Sequence, residues 1–264
     1  MISELNPPIK GLILDLDGVL WKDHLPLGNI PKLFDRFQKL NYGIILATNN
    51  ATKDIDEFQE KLLKMGAPVE LWQIVNSGMA VSFLLERQHP NGGPVYIVGE
   101  QGLHHVLAEK GFYHSSENPL AVVAGLDREL TYQKIEDANR IIRSGVPFIG
   151  TNPDRTFPTP KGLVPGAGTV LAAIEAASYV KPIIAGKPES ALFLLALERL
   201  GISPTQALAV GDRLDTDILG GIRSGCRTAL VFSGVTTPAD LEQSSIKPDL
   251  TADSLWDLVG AERT

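Results

Sequence analysis

The chain has 264 residues, 44% of them hydrophobic and 21% charged, enough to bury a large core without disulfides or structural metals. A formal charge of −7 argues against a nucleic-acid binder, which needs a basic face, and the single Cys226 excludes an intramolecular disulfide. No apolar run approaches signal-peptide or transmembrane length, so a cytoplasmic protein with neither membrane nor nucleic-acid partners is expected.

Short apolar runs alternate with segments of helical period. Gly11–Asp17 and Gly43–Asn49 read as the first two strands. Thr52 then reads as the N-cap of a helix carrying Ile55, Phe58, Leu62 and Met65 on one face, with Gly66 as its stop. Val95–Gly99 and Ala121–Gly125 follow as strands, and Thr131 opens a helix that carries Ile135, Ala138 and Ile142 and ends at Gly145. Pro147–Thr151, Pro182–Lys187, Ala207–Gly211 and Thr228–Phe232 complete the strands, and Thr237-Pro238 reads as a cap followed by proline at the first helical position. These runs are apolar on both faces. That pattern predicts an α/β fold, a doubly wound parallel sheet with helices on each side and right-handed crossovers.

One segment breaks the rhythm. Thr151–Gly168 holds four prolines and little periodicity, and reads as a long loop that is either functional or a rigid turn. Trp21 packs either over a site entrance or on the core, and His24 is either a loop residue or part of that entrance. His89, His104, His105 and His114 share no ligand spacing with nearby acids and read as surface or helix residues. Cys226 reads as a small packed residue before a strand.

Several strands end in residues that can carry chemistry: Asp15 and Asp17, then Thr48, Asn49 and Asn50, then Lys187, then Asp212 with Asp217 five residues on. An isolated aspartate after a strand is ordinarily a turn or cap residue. In an open parallel sheet, however, ligands bind outside the carboxyl ends of the strands, where residues distant in sequence meet. Clustered carboxylates repel one another unless a cation joins them. Several aspartates with one lysine form a hard-oxygen, mixed-charge set suited to Mg²⁺ and a phosphate.

DLDGVLW at 15–21, ATNN at 47–50, GKP at 186–188 and GDRLDTD at 211–217 resemble, in order and spacing, the four motifs of the haloacid dehalogenase superfamily of phosphatases. TNPD at 151–154 and PGAG at 165–168 resemble the cap signature of its NagD-like, p-nitrophenylphosphatase-type subfamily, which has a type IIA cap. The likeness spans about residues 10 to 235. It implies Asp15 as nucleophile, Asp17 as general acid/base and Lys187 as a catalytic cation. It also implies Mg²⁺ on Asp15, Asp212 and the Asp17 backbone carbonyl, with Asp217 orienting a metal-bound water or Lys187. Thr48, Asn49, Asn50 and Lys187 are the implied phosphate ligands, and Asn152, Asp154 and Arg155 the polar candidates for substrate contact. An aspartate at position 17 favours phosphate-ester hydrolysis over carbon–halogen cleavage, because only an ester leaving group needs an acid.

Almost 140 residues separate Thr48 from Lys187, too many for one crossover. The expected domains are therefore a first core part at 1–82, an inserted α/β cap at 83–183 and a second core part at 184–264. Hinges are expected near Glu86–Gly93 and Val180–Pro182. The resemblance implies a cap that closes over the site, association as a homodimer, and a small phosphorylated metabolite as substrate: a nucleotide, sugar phosphate, phosphoglycolate or pyridoxal phosphate. p-Nitrophenyl phosphate is the expected artificial substrate.

Other readings are weaker. Lys187 lacks the GxxxxGK[ST] context of a phosphate loop, and GAG at 166–168 follows a Pro-rich segment instead of a strand. A receiver-like signalling phosphoacceptor would combine Asp, Thr, Lys and Mg²⁺ in a much shorter chain with no large insertion. A non-catalytic phospholigand-binding protein would keep the site without turnover.

Overall fold

The computed structural model describes residues 2–22, 25–159 and 162–263, so His24 lies outside the described residues. The chain divides into two compact units. One comprises residues 1–48, 56–75 and 188–264, the other 49–55 and 76–187.

The first unit is built on a six-stranded sheet, in the order Leu250–Ala252, Arg227–Val231, Ala207–Gly211, Gly11–Leu14, Gly43–Thr48, Ile74–Asn76. The first five strands run parallel. The central runs GLIL and ALAVG are buried at every position, as expected of strands covered by helices on both faces. At the edge, Leu250–Ala252 is only partly covered. The helix Ile30–Lys39 buries Ile30, Leu33, Phe34 and Phe37 at helical spacing, and Asn29 caps it by accepting from the Lys32 N–H. Cys226 is buried just before its strand, and burial pushes its thiol up to about 12.

The second unit carries a five-stranded sheet of parallel pairs, in the order Ile183–Ile184, Phe148–Gly150, Val122–Ala124, Gly93–Val98, Phe112–His114. Its core joins Tyr96, Val98, Val122 and Phe148 of the sheet to Ala138, Ile141 and Ile142 of the helix Tyr132–Arg143. Val170, Leu171 and Ile174 of the helix Ala167–Ser178 complete it. The doubly wound α/β expectation holds, and so do the caps Thr131 and Thr237, whose hydroxyls accept from Lys134 N and Asp240 N.

Some local expectations change. The helix expected to start at Thr52 covers Ile55–Lys64, and the Thr52 hydroxyl instead donates to Asn50 Oδ1 at 2.8 Å. The segment 151–168 is not one long loop. Thr156–Thr159 and Gly162–Pro165 pair as an antiparallel ribbon, tolerated because Pro158 sits in a two-stranded edge where no second partner needs its missing N–H. Ile74–Asn76, Phe112–His114 and Leu250–Ala252, short strands without a continuous apolar run, are not anticipated from the sequence, nor is the two-residue pair Trp21–Lys22 and Leu25–Pro26. The second unit's limits at 76 and 187 also differ from the expected 83 and 183. The helix Ser77–Gln88 belongs to it because Ser82 Oγ donates to Val106 O (2.9 Å) on the helix Gln101–Ala108. The segment Glu86–Gly93, expected as a hinge, therefore lies inside this unit.

Candidate active site

In the first unit, three adjacent strands end in polar residues. Asp15 follows Gly11–Leu14, Thr48 closes Gly43–Thr48 and Asp212 follows Ala207–Gly211. Register makes them neighbours, since Leu14 pairs with both Val210 and Leu46. After Asp212 the backbone forms a single wide turn of π type over Leu214–Ile218, in which the Ile218 N–H reaches Arg213 O at 3.2 Å. That turn delivers Asp217. One carboxylate oxygen each from Asp15, Asp212 and Asp217 lies within 4.8 Å of the others, with Asp212 and Asp217 buried and Asp15 half-buried.

Three carboxylates this close, two of them withdrawn from water, are stable together only if their charge is matched. Part of the matching is local: Asp212 Oδ2 accepts from the Val235 N–H (2.7 Å), and Asp217 Oδ2 from the Arg213 N–H (3.1 Å). What remains is an all-oxygen anionic set of the kind hard divalent cations take, so these residues fit a metal ion. The sequence reading placed Asp217 behind the ligands, whereas here it offers an oxygen as near as the other two.

Gly18 makes room for this cluster. Its φ is +79°, and a Cβ there would stand 2.5 Å from Asp212 Oδ2. The turn it serves is held by Leu20 N to Leu16 O (2.9 Å), Gly18 N to Trp21 O (2.7 Å), and Ser233 Oγ donating to Gly18 O (2.7 Å). Asp17 sits on this turn, exposed, with Oδ1 accepting from the Trp21 indole N–H at 2.8 Å. Its carboxylate is thus outside the group of three. Trp21 itself is buried.

The second unit gathers another part of the expected set. Lys187 is buried, and one side-chain amide holds its backbone at both ends: Lys187 N donates to Asn49 Oδ1 (2.8 Å) and Asn49 Nδ2 donates to Lys187 O (3.1 Å). The same Nδ2 reaches Asp154 Oδ2 at 3.1 Å. Asn49 O in turn accepts from Ser77 Oγ (2.5 Å) and from Asn152 Nδ2 (2.8 Å). The amides of Asn49 and Asn152 are therefore engaged with protein groups. Asn50 likewise accepts from Thr52 in a local turn. Gly186 lets these strands meet, since a Cβ on it would stand 2.5 Å from Thr151 O and 2.6 Å from Asn49 Oδ1.

The two cap motifs pack on each other in the same way. Gly166 N donates to Arg155 O and Gly168 N to Asp154 O, both at 2.8 Å, so PGAG starts its helix directly against TNPD. Arg155 is exposed. Beyond them the ribbon and the helix Ala167–Ser178 line a cavity of about 700 Å³ with Asp127, Arg128, Phe157, Val164 and Thr169. Sequence reasoning missed Ser77 and the Val235 N–H. Ser77 gives no signal because a serine at a helix start looks like any cap residue, and a backbone donor has no signature in composition.

His104 lies on the helix Gln101–Ala108 and His114 is an exposed residue at the end of Phe112–His114, in keeping with the surface or helix expectation. Their rings lie 5.9 Å apart, and the Ile97 N–H donates to His114 Nδ1 at 3.0 Å. Burial holds both imidazoles below the ordinary histidine range. Next come, for His104, the facing His114 and then Lys134, and for His114, Lys134.

Comparison with known proteins places this arrangement. A haloacid dehalogenase-like hydrolase family model matches residues 12–113, and a HAD-hydrolase-like model matches 184–258. An acid sugar phosphatase of Staphylococcus saprophyticus is 32% identical over 251 residues, covering 95% of this chain and 96% of that protein. A p-nitrophenyl phosphatase from Archaeoglobus fulgidus superposes with a TM-score of 0.89 at 32% identity, over 96% of this chain and 99% of that one. NagD from Escherichia coli K-12 superposes with a TM-score of 0.87 at 31% identity, over 94% and 97%. Among the described residues, no helix is long and apolar enough to cross a membrane. With its motifs at the strand ends and its likeness running nearly end to end, the chain belongs to the haloacid dehalogenase-like hydrolases, in their NagD-like phosphatase branch.

Proposed function

We propose that this enzyme is a Mg²⁺-dependent phosphomonoester hydrolase acting on a small phosphorylated metabolite through an aspartyl-phosphate. The observation that carries the reading is the convergence of the Asp15, Asp212 and Asp217 oxygens. Asp15, the half-buried member of this cluster, is the nucleophile. Asp15, Asp212 and the Asp17 backbone carbonyl, with Asp217 alongside, would hold the cation. When bound, Mg²⁺ offsets the repulsion between the nucleophile and the phosphate.

In the first step an Asp15 carboxylate oxygen forms a bond to phosphorus and the ester P–O bond breaks. The departing oxygen keeps the electron pair and takes a proton from Asp17. In the second step a water oxygen bonds to phosphorus, its proton goes to Asp17, and the pair of the breaking P–O bond returns to the Asp15 carboxylate. The Thr48 hydroxyl and the Lys187 ammonium are the assigned ligands of the transferred group. For Asn49 this assignment concerns its backbone N–H, since its side-chain amide already holds Lys187.

Among the substrate classes implied by the resemblance, sugar phosphates come first, because a relative covering almost the whole chain is an acid sugar phosphatase. The test is phosphate release from p-nitrophenyl phosphate and a panel of sugar phosphates, nucleotides and phosphoglycolate, with and without a chelator. Multiple turnover with Mg²⁺, abolished by Asp15→Asn and by chelation, is expected. A stable phosphoprotein without turnover would instead support a receiver-like phosphoacceptor, and binding without release a phospholigand-binding protein. Light scattering in solution tests the homodimer.

A further inference from the structure

Asp17 and Trp21 are four residues apart on a turn whose shape is set by Gly18, and the indole N–H meets Asp17 Oδ1 at 2.8 Å. The two groups differ sharply in environment. The Trp21 ring is 1% exposed, while Asp17 stands in solvent. Lys61, on the helix Ile55–Lys64, places its ammonium 3.7 Å from the centre of the same ring. The backbone of Trp21 is tied on both sides: its carbonyl accepts from Gly18 N, and the residue pairs with Pro26 in a short antiparallel ribbon. An exposed carboxylate on a tight turn would ordinarily rotate freely about its side-chain bonds. Here a ring fixed by packing, by a cation and by the backbone presents one N–H to one oxygen. Among the described residues Oδ2 accepts no hydrogen bond, so the indole occupies one carboxyl oxygen and leaves the other for the reaction.

We propose that Trp21 is a positioning residue for proton transfer, its indole N–H holding the Asp17 carboxyl so that Oδ2 faces the leaving oxygen. This rests on the phosphatase reading above, because it presumes that Asp17 exchanges a proton with the ester oxygen. Orientation matters because a general acid works only within hydrogen-bond reach of the atom it protonates. The geometry predicts a specific signature. An alcohol leaving group needs that proton in the transition state, whereas p-nitrophenolate departs nearly unaided. Loss of the N–H therefore harms alkyl phosphates more than aryl phosphates.

The experiment compares kcat/KM for glycerol phosphate and for p-nitrophenyl phosphate, the quantity that isolates the ester-cleaving step. The variants are Trp21→Phe, Asp17→Asn and the double mutant. Trp21→Phe is expected to lower kcat/KM about tenfold or more on the alkyl ester and less than about threefold on the aryl ester. Added to Asp17→Asn it should cost nothing further, because the group it orients is already gone. Since Trp21 is buried, site-specific benzothienylalanine, which keeps the bicyclic shape and replaces N–H with sulfur, repeats the test with the packing preserved. Equal losses on both esters, or a loss that adds to Asp17→Asn, would overturn the positioning role while leaving the phosphatase reading intact. Full activity in Asp15→Asn and Asp17→Asn would overturn both.

Discussion

At the scale of single residues, this protein's chemistry depends on which side chains are absent as well as which are present. Gly18 stands where a methyl group would meet Asp212 Oδ2, and its φ of +79° is one that an L-residue adopts only at a cost of about 1–2 kcal/mol. Gly18→Ala is therefore expected to lower the unfolding midpoint and to weaken Mg²⁺ binding together, measured by thermal denaturation and calorimetry. Unchanged affinity would show that Asp212 accommodates the methyl group. Asn49 acts through the opposite route. Its single amide satisfies the N–H and the carbonyl of Lys187, and removing it strands buried polar groups at a cost of about 1–3 kcal/mol. Asn49→Ala should lose that much stability in urea and lower kcat on p-nitrophenyl phosphate about tenfold or more. A stability loss with kcat intact would confine the amide to a structural role.

At the scale of elements, strand ends and short turns carry the function while helices and strand interiors carry the core. The strand Phe112–His114 illustrates a coupling between the two. His114 Nδ1 accepts the Ile97 N–H, which it can do only while that nitrogen is unprotonated. Burial, first, and the nearby Lys134 lower its pKa in the fold, and His104 beside it is lowered in the same way, with Asp127 opposing. The unfolded chain therefore takes up these protons at higher pH than the folded one. Stability from this pair is complete above the ordinary value of 6.5 and is lost as pH falls through the lowered folded values. Urea unfolding at a pH above and a pH below that value should show it. His114→Asn, whose carbonyl can accept from Ile97 without titrating, should reduce the difference. An unreduced difference would assign the acid sensitivity to other groups.

At the scale of the whole molecule, a bound cation should be visible in stability as well as in activity. Asp15, Asp212 and Asp217 are gathered only by the folded sheet, so Mg²⁺ held there would favour the folded chain and would add about 2.7 kcal/mol at a concentration 100 times its Kd. A rise in the unfolding midpoint with Mg²⁺, absent in Asp212→Asn, is the expected result, and an equal rise in both would place the binding elsewhere. Much of this architecture was readable beforehand. The apolar runs that became Gly11–Leu14, Gly43–Thr48, Ala207–Gly211 and Arg227–Val231 are continuous because both faces of those strands are covered, and that continuity is a property of the sequence itself. The helix caps at Thr131 and Thr237 were readable for the same kind of reason, since each bond closes within three residues. The strands Ile74–Asn76, Phe112–His114 and Leu250–Ala252 and the ribbon within 151–168 were not, because their pairing partners, not their periodicity, make them strands. Residue types and their order along the chain determined the family and the candidates for nucleophile, acid and cation ligands. Only tertiary structure decided that Asp217 joins Asp15 and Asp212 and that Asn49 holds Lys187, because each depends on distances created when segments far apart in sequence are packed side by side, while the bond between Asp17 and Trp21 waits on the shape of one short turn.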